Sequence, residues 1–210
     1  MKKASFDIFG NIALVKFRAG TSVKDKKRFA SKLLHDNKSV TTVLEKTRGF
    51  KGRLRKQETK YIAGEKTKEV LYKENGCIFR FNIDSTYFSP RLSNERKEIA
   101  QKIKKGDEVL VMFAGVAPYL IVIAKNSGAG KVVSVEINKE ANKYAKMNVE
   151  LNKVKNRVEI IQGDVKKAVL KLKTKFDVIV MPRPQLKDSF LREAFMLSKK
   201  STRVFYYDFC

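Results

Sequence analysis

The second half of the chain alternates apolar segments with amphipathic ones, and this alternation constrains the fold more than any other feature. Short runs of aliphatic and β-branched residues predict strands at residues 108–113, 131–136, 158–162, 176–181 and 202–207. The segments between them have helical periodicity, at residues 119–126, 138–152, 165–172 and 186–198. Strands that alternate with helices form a mainly parallel sheet through right-handed crossovers. The sequence therefore predicts a Rossmann-like α/β domain with about five strands.

The first part of the chain has a different pattern, with more strand signal than helix signal. Gly10-Asn11 is a hairpin-like dipeptide between two β-rich runs, and a basic helix is predicted at residues 23–37. Further strand segments precede and follow a tight turn at residues 74–76. We therefore expect a small α+β domain at residues 1–84 and the Rossmann-like domain at residues 85–210.

The charge balance points to a polyanionic partner. Lysine and arginine number 46 against 22 acidic residues, so the formal net charge is +24. Nucleic acid is the first expectation for such a chain, and an anionic membrane surface is the second. The longest uncharged run, residues 109–124, is too short for a membrane span and contains Gly115 and Pro118. A membrane-spanning protein is therefore not expected.

Cysteine and histidine are both scarce. Cys77 and Cys210 are the only cysteines and do not suggest a disulfide framework, which favours a reducing, cytoplasmic environment. The N-terminal residues lack the apolar core of a secretory signal. His35 is the only histidine, which argues against a histidine-based catalytic triad and against a histidine-rich metal cluster. No metal is expected.

Three residues mark the carboxyl ends of successive predicted strands, where ligands bind in sheets of this type. Gly115 follows the first strand, Glu136 ends the second and Asp164 follows the third. A carboxylate at Glu136 can accept both hydroxyls of a ribose. Asp164 could accept the amino group of adenine, with the Val165 N–H reaching a ring nitrogen. The sequence thus predicts an adenosine site, although Gly115 alone would be only a turn residue.

The loop after the first strand argues against a dinucleotide. Gly115, Ala117 and Leu120 occupy the positions of the G-x-G-x-x-G fingerprint, of which only the first glycine is present. An adenosyl ligand without phosphates fits better, and S-adenosylmethionine is the common one. We assign Phe113 and Ile137, which lie in the FAGVAPY and VEIN segments, to the same pocket.

Longer motifs carry a resemblance to a known family. The most specific is YFSPRLSNER at residues 87–96, supported by DIFGNIAL (7–14), IAGEKTKEVLYKENGCIFRFNI (62–83), FAGVAPY (113–119), VEIN (135–138) and MPRP…FL (181–191). The chain resembles the archaeal and eukaryotic tRNA (guanine-N1)-methyltransferases, which modify the guanosine just 3′ of the anticodon, position 37. The match extends over nearly the whole chain. A related aminocarboxypropyl transferase of wybutosine synthesis shares the fold, but the intact PRL and Pro118 favour the methyltransferase branch.

The resemblance implies S-adenosylmethionine as cofactor and tRNA as partner, with residues 1–84 binding RNA and positioning the target base. It also implies roles for particular residues. Glu95 corresponds to the general base that removes the N1 proton of guanine, and Arg55 to the donor that stabilises charge on O6. Arg53 takes that place if the alignment shifts by two residues. Tyr87 and Arg91 shape the pocket for the cofactor and the base. Without the resemblance, Glu95 would be an ordinary first-turn residue and Arg55 one more phosphate-binding cation.

Three positions depart from the family pattern. Val111 replaces an aspartate in the first strand, and Ala117 replaces the second glycine of the loop. Pro182 replaces an asparagine that holds the guanine edge, and we assign Pro182 and Pro184 to the substrate site. These changes leave room for weakened methylation, for a wyosine precursor as substrate, for aminocarboxypropyl transfer or for a non-catalytic tRNA-binding module. Sheets of this class usually have more strands, so a second chain or self-association at the open edge is also expected.

Overall fold

The structure is a computed structural model that describes residues 4–182 and 188–207. The chain divides into two units by its internal contacts. The small unit contains the residues up to Lys73 together with Ile78–Tyr87. The large unit contains Glu74–Cys77 together with the residues from Phe88 onward.

A mixed four-stranded sheet and one helix form the body of the small unit. Its elements are β1 (Ser5–Phe9), β2 (Ile12–Lys16), α1 (Val23–Asp36), β3 (Thr42–Lys51) and β4 (Lys56–Gly64). The strands lie in the order β1-β2-β3-β4, and only β2 and β3 run parallel, because α1 connects them. Ala30 and Leu33 of α1 pack on Ala13, Val15 and Val43 of the sheet. The Ser22 hydroxyl caps α1 by accepting the Asp25 N–H.

A separate hairpin joins β5 (Glu69–Glu74) to β6 (Cys77–Asn82). Its two-residue turn consists of Asn75 and Gly76, with φ values of 48° and 70°. Positive φ at both residues is the requirement of a type I′ turn, which matches the twist of the paired strands. The tight turn predicted at this point is confirmed.

The large unit is a parallel sheet surrounded by helices, as predicted. A 3₁₀ turn at Pro90–Leu92 leads into α2 (Ser93–Lys102), β7 (Glu108–Met112), α3 (Pro118–Asn126), β8 (Lys131–Glu136), α4 (Lys139–Leu151), β9 (Val158–Gln162), α5 (Val165–Ala168), β10 (Phe176–Met181), α6 (Leu191–Met196) and β11 (Ser198–Tyr206). The strand order is β11-β10-β7-β8-β9, and every pairing is parallel. The order reverses beside β7, so its carboxyl end is the switch point where ligands bind in such sheets.

One hydrophobic cluster of the large unit lies under α5 and α6. Val165 and Ala168 of α5 and Ala194 of α6 pack with apolar side chains of β7, β8 and β10, including Leu110, Met112, Val133, Val135, Ile179 and Met181. Right-handed crossovers place α3 and α4 on the opposite face. Both faces of the sheet are therefore covered, which explains why its strands read as continuous apolar runs.

The helix predicted at residues 186–198 is largely wrong. Residues 186 and 187 lie outside the described part of the chain, and α6 contains only Leu191–Met196. The Asp188 carboxylate accepts the Phe190 N–H, and Phe190 has a φ of 56°. This local hydrogen bond satisfies the backbone without a helix. Ser198, predicted as helical, is the first residue of β11.

No helix in residues 4–182 and 188–207 is both long and apolar enough to span a bilayer. The same residues contain no cluster of three potential metal-ligating side chains. β11 is the outer strand of the described sheet beside β10. Association of a second chain at that edge stays a prediction.

Candidate active site

Glu136 connects the ends of two neighbouring strands in the large unit. It is the last residue of β8, and its Oε2 accepts the Gly115 N–H of the loop after β7 at 2.7 Å. Its Oε1 accepts the Asn138 N–H at 2.7 Å. Gly115 adopts a φ of 56°, which a glycine reaches without steric cost and which directs its N–H towards Glu136. The backbone therefore holds this carboxylate at the switch point of the sheet.

Burial and hydrogen bonding act on Glu136 in opposite directions. Burial raises the pKa of the Glu136 carboxyl above its usual range and is the larger effect. The N–H groups of Asn138, Gly115 and Ile137 oppose that rise because they favour the charged form. A carboxylate has about four acceptor sites, so the N–H groups of Gly115, Asn138 and Ile137 leave about one site for a ribose hydroxyl.

The loop between β7 and α3 suits an uncharged adenosyl group better than a pyrophosphate. Residues 113–119 contain no lysine or arginine. Phe113 and Ala117 have φ values of 58° and 67°, and Ala117 is fully buried. The Phe113 ring lies edge-on against Phe190, with 5.0 Å between centroids. These features fit the adenosine part of S-adenosylmethionine, which carries no phosphate.

Asp164 caps the helix that follows β9. Its carboxylate accepts the Lys166 N–H at 2.9 Å, and Val165 is buried in the core beneath α5. The cap fixes Asp164 at the carboxyl end of β9, next to the strand that ends at Glu136. Its contact with adenine stays a prediction.

Glu95 lies half-buried in the first turn of α2 and is held by a tyrosine hydroxyl. The Tyr119 hydroxyl donates to Glu95 Oε1. Burial raises the pKa of Tyr119 and of Tyr207, and the nearby Glu95 carboxylate raises both further. Both hydroxyls therefore stay protonated at neutral pH, and that of Tyr119 acts as a donor.

The next residue of α2 makes a buried ion pair. Arg96 Nη2 donates to Glu74 Oε2 at 2.6 Å, and the two side chains are only 1% and 2% exposed. The same nitrogen donates to the Ser89 carbonyl at 3.0 Å. This pair ties the first turn of α2 to the hairpin turn and to the segment before the 3₁₀ turn. Arg91 lies exposed in that 3₁₀ turn.

The small unit contains a second cluster, built from Arg55 and two aromatic rings. The Arg55 guanidinium lies 4.2 Å from the Tyr87 centroid and 5.3 Å from the Phe50 centroid. The two rings meet edge to face, with 4.9 Å between centroids. Arg55 Nε is buried without a hydrogen-bond partner among the described residues. The rings fix the guanidinium by cation–π contact, and Arg53 lies exposed in the same turn.

The structure therefore brings together Gly115 with Glu136, and Arg55 with Tyr87. Pro182 follows β10 directly, and Pro184 lies outside the described residues. Sequence reasoning missed Tyr119 and Tyr207, although Tyr119 stands inside the quoted FAGVAPY motif, together with three other contact residues: Phe50, Glu74 and Arg96. An aromatic residue between basic ones, as in FKGRLR, was the available signal for Phe50.

Comparison with known proteins decides the family. Residues 70–210 match the TRM5/TYW2 methyltransferase domain, and residues 2–67 match the TYW2 N-terminal domain. The chain belongs to the TRM5/TYW2 methyltransferase family. Its predicted membership in the tRNA (guanine-N1)-methyltransferase group is confirmed at this level, and so is the Rossmann-like fold.

Individual TRM5/TYW2 proteins match three quarters of the chain or more. It is 41% identical over 160 residues to the tRNA (guanine(37)-N(1))/4-demethylwyosine(37)-methyltransferase Taw22 of Nanoarchaeum equitans, covering 76% of this chain and 52% of that one. It is 34% identical to the tRNA (guanine(37)-N(1))-methyltransferase Trm5b of Pyrococcus abyssi, covering 98% and 60%. A Trm5 solved in complex with tRNALeu superposes with a TM-score of 0.85 at 28% identity, covering 95% and 58%. The chain thus spans about half to three-fifths of the length of these relatives.

Proposed function

We propose that this TRM5/TYW2 family member is an S-adenosylmethionine-dependent enzyme that methylates N1 of guanosine 37 in tRNA. The observation that carries the proposal is the half-buried Glu95 carboxylate, which the Tyr119 hydroxyl holds in the same unit as the Glu136 strand end. A base and an adenosine-binding carboxylate in one Rossmann-like unit are what N1 methylation requires. The names of Taw22 and Trm5b support this substrate.

The cofactor-binding residues follow from the strand ends. In the proposal, Glu136 accepts the ribose hydroxyls, Asp164 accepts the adenine amino group, and the remaining contacts come from Tyr87, Arg91, Phe113, Gly115, Ile137 and Val165. When bound, S-adenosylmethionine supplies a methyl group attached to a positively charged sulfur, and that sulfur becomes a neutral sulfide as the new N–C bond forms. The task of the protein is to align that carbon with N1 of the base.

Glu95 and Arg55 act on the guanine ring. Glu95 accepts the N1 proton, so the electron pair of that N–H bond becomes available for the bond to the methyl carbon. Negative charge that develops on O6 is stabilised by N–H groups of Arg55, whose guanidinium is pre-oriented by Tyr87 and Phe50. Arg53, Pro182 and Pro184 are proposed as further contacts to the target nucleotide.

The proposed partner is tRNA. The net charge of +24 supports binding to a polyanion, and the similar Trm5 structure contains tRNALeu. Contacts between lysine or arginine and phosphate release counterions, so affinity falls steeply with salt. We expect tRNA affinity to fall at least about tenfold from low to physiological salt in filter binding. A flat titration would remove the electrostatic part of the argument.

A labelling experiment tests the reaction directly. The chain is incubated with tRNA and with S-adenosylmethionine labelled on either the methyl carbon or the carboxyl carbon, and the tRNA is digested to nucleosides. Methyl label in 1-methylguanosine supports the proposal. Carboxyl label would show aminocarboxypropyl transfer instead. Binding of tRNA without incorporation of either label would show a non-catalytic module.

A second substrate is favoured by one specific relative. Taw22, at 41% identity, carries 4-demethylwyosine in its name beside guanine. The same assay with tRNA that contains 4-demethylwyosine at position 37 tests this activity. Methylation of that tRNA alone would make the wyosine precursor the substrate, and methylation of both would match the dual name of Taw22.

A further inference from the structure

We propose that Asn142 and Asn148 of α4 are positioning residues that hold in place the two turns on which the Glu136 carboxylate depends. The inference rests on the proposed function of Glu136 as a cofactor-binding residue. It gives a role to two polar side chains that are only 1% and 0% exposed, and that no sequence motif singled out.

Asn142 joins the end of β8 to the start of α4. Its Nδ2 donates to the Glu136 carbonyl and to the Asn138 carbonyl, both at 2.9 Å. Because only the amide nitrogen can donate to two carbonyl oxygens, the orientation of the amide group is fixed. The backbone of Glu136 is thereby tied to the residue whose own N–H meets the Glu136 carboxylate, Asn138.

Asn148 acts on the other turn, the loop between β7 and α3. Its Nδ2 donates to the Val116 carbonyl at 3.2 Å, and Val116 is fully buried. Val116 directly follows Gly115, whose N–H donates to Glu136 Oε2. One helix therefore holds both the residue that carries the carboxylate and the loop that carries its donor.

The hydrogen bonds around Asn142 separate positioning from folding. The Glu136 carbonyl also accepts the Gly163 N–H at 2.8 Å, and the Asn138 carbonyl also accepts the Asn142 N–H at 3.0 Å. Both carbonyls therefore keep a partner when the Asn142 side chain is removed. The Asn142 Oδ1 is buried without a hydrogen-bond partner among the described residues, which destabilises the fold. Folding thus gains little from this amide, and its contribution is to fix the position of Glu136.

The test compares Asn142→Leu with the control Asn152→Leu. Leucine has as many side-chain heavy atoms as asparagine but no hydrogen-bonding group. Asn152 is buried at the other end of α4, and its Nδ2 donates to the Asn148 carbonyl at 2.8 Å. That contact reaches back along the helix in the same way as the contact of Asn142 with Asn138. Both variants lose a contact of this type, whereas Asn142→Leu also loses the contact with Glu136.

Asn142→Leu should weaken the binding of S-adenosylhomocysteine about two- to tenfold in calorimetric titrations, the size of one lost hydrogen bond. In turnover, KM for S-adenosylmethionine should rise while kcat at saturation stays unchanged, because the base is not altered. The midpoint of urea denaturation should not fall. Asn148→Leu should weaken binding and also lower that midpoint, since the Val116 carbonyl loses a donor.

Asn152→Leu should leave the affinity for S-adenosylhomocysteine unchanged. An unchanged affinity in Asn142→Leu would overturn the inference, and so would an equal loss in Asn142→Leu and Asn152→Leu, which would be a general effect of α4. If Asn142→Leu does not fold, Asn142→Ala removes the amide without adding volume and is judged by the same outcomes.

Hydrogen exchange at the Gly115 amide separates this inference from the proposed function. NMR of protein labelled with nitrogen-15 glycine follows this amide without cofactor or tRNA. Its bond to Glu136 slows exchange, so exchange should be about two- to tenfold faster in Asn142→Leu. The Gly106 amide, which donates to the Gly128 carbonyl, should not change.

Faster exchange at Gly115 alone would support the inference even if the wild-type chain binds no S-adenosylhomocysteine, a result that would reject only the proposed function. A wild type that binds the analogue, with neither affinity nor exchange altered in Asn142→Leu, would retain the proposed function and reject the role of Asn142. Unaltered exchange in a chain that binds no analogue would reject both.

Discussion

Two carboxylates in the large unit are held by different kinds of donor. Glu136 accepts backbone N–H groups from Gly115 and Asn138, whereas Glu95 accepts the Tyr119 hydroxyl. The donors to Glu136 belong to turns next to the strand ends. The donor to Glu95 belongs to α3, a different helix from the one that carries Glu95.

The difference separates a binding carboxylate from a proposed reactive one. Backbone donors remain after almost any side-chain substitution, so the Glu136 site is determined by the conformation of two turns. A side-chain donor is removed by one substitution, so the orientation of Glu95 depends on the identity of Tyr119. A substitution at Tyr119 can therefore affect the proposed base without disturbing the proposed adenosine site.

The largest effect is expected at Glu95 itself. Glu95→Gln keeps the shape and the hydrogen-bonding capacity of the side chain but cannot accept the N1 proton, so kcat should fall about 10²–10⁴-fold. Single-turnover methylation of tRNA measures the loss, and filter binding should show little change in tRNA affinity. Glu140, which is half-buried like Glu95 and lies in the first turn of α4, provides the matched control Glu140→Gln. Turnover that survives in Glu95→Gln would show that another group is the base.

The next effect concerns the support of α2. Glu74→Gln leaves the Arg96 guanidinium buried without its counter-charge, which should lower the free energy of unfolding by about 3–5 kcal/mol. The control is Glu159→Gln, which breaks a surface pair with Lys131 and should cost less than about 1 kcal/mol. Urea denaturation measures both. Equal free energies of unfolding for the two variants would mean that α2, which carries Glu95, is anchored by packing alone. The contrast between Glu95 and Glu136 would then be weaker.

A smaller effect is expected at the other carboxylate. Glu136→Gln removes the charge that ribose hydroxyls would meet, so cofactor affinity should fall about 10–100-fold in calorimetric titrations with S-adenosylhomocysteine. Unlike Glu95→Gln, Glu136→Gln should lower cofactor affinity more than it lowers kcat at saturating cofactor. A loss of kcat with unchanged cofactor affinity would contradict the assignment.

The raised pKa of Glu136 adds a pH dependence with a definite sign. The ordinary carboxyl value is 4.5, and burial moves this pKa upward. The ionised form accepts ribose hydroxyls, so affinity should be full above the raised pKa and should fall as the pH drops through it, starting at a higher pH than for an ordinary glutamate. Glu136→Gln should not show this decline. A flat wild-type profile down to pH 4.5 would show that ionisation of Glu136 does not matter for binding.

Features that depend on local sequence could be predicted. The order of strands and helices followed from apolar periodicity, and the parallel sheet followed from the handedness of crossovers. Gly115, Glu136 and Asp164 were placed at strand ends because the strands themselves were correctly delimited. Their contacts with a ligand are still predictions, because strand ends position a side chain without showing what it binds.

Features that depend on packing between distant segments could not be predicted. The contact of Glu95 with Tyr119 and the ion pair of Arg96 with Glu74 join elements whose proximity no local pattern reveals. The helix expected at residues 186–198 is reduced to Leu191–Met196. The Asp188 carboxylate accepts the Phe190 N–H, and this hydrogen bond competes with helical pairing. The cation–π contact of Arg55 with Tyr87 likewise joins residues that no local pattern brings together, and the choice between Arg53 and Arg55 stays a prediction.

The smallest effects are expected in the loop that carries the donor to Glu136. Gly115 and Ala117 both have positive φ, so Gly115→Ala should lower stability by about 1 kcal/mol through backbone strain and weaken cofactor binding a few-fold. Ala117→Gly relieves a similar strain but removes a fully buried methyl group worth about 0.8 kcal/mol. The strain relieved and the apolar burial lost nearly cancel, so Ala117→Gly should change the free energy of unfolding by less than about 1 kcal/mol. Urea denaturation and cofactor titration measure both variants. If Gly115→Ala were as neutral as Ala117→Gly, the backbone conformation of the loop would not control the Glu136 site, and the contrast with Glu95 would lose its basis.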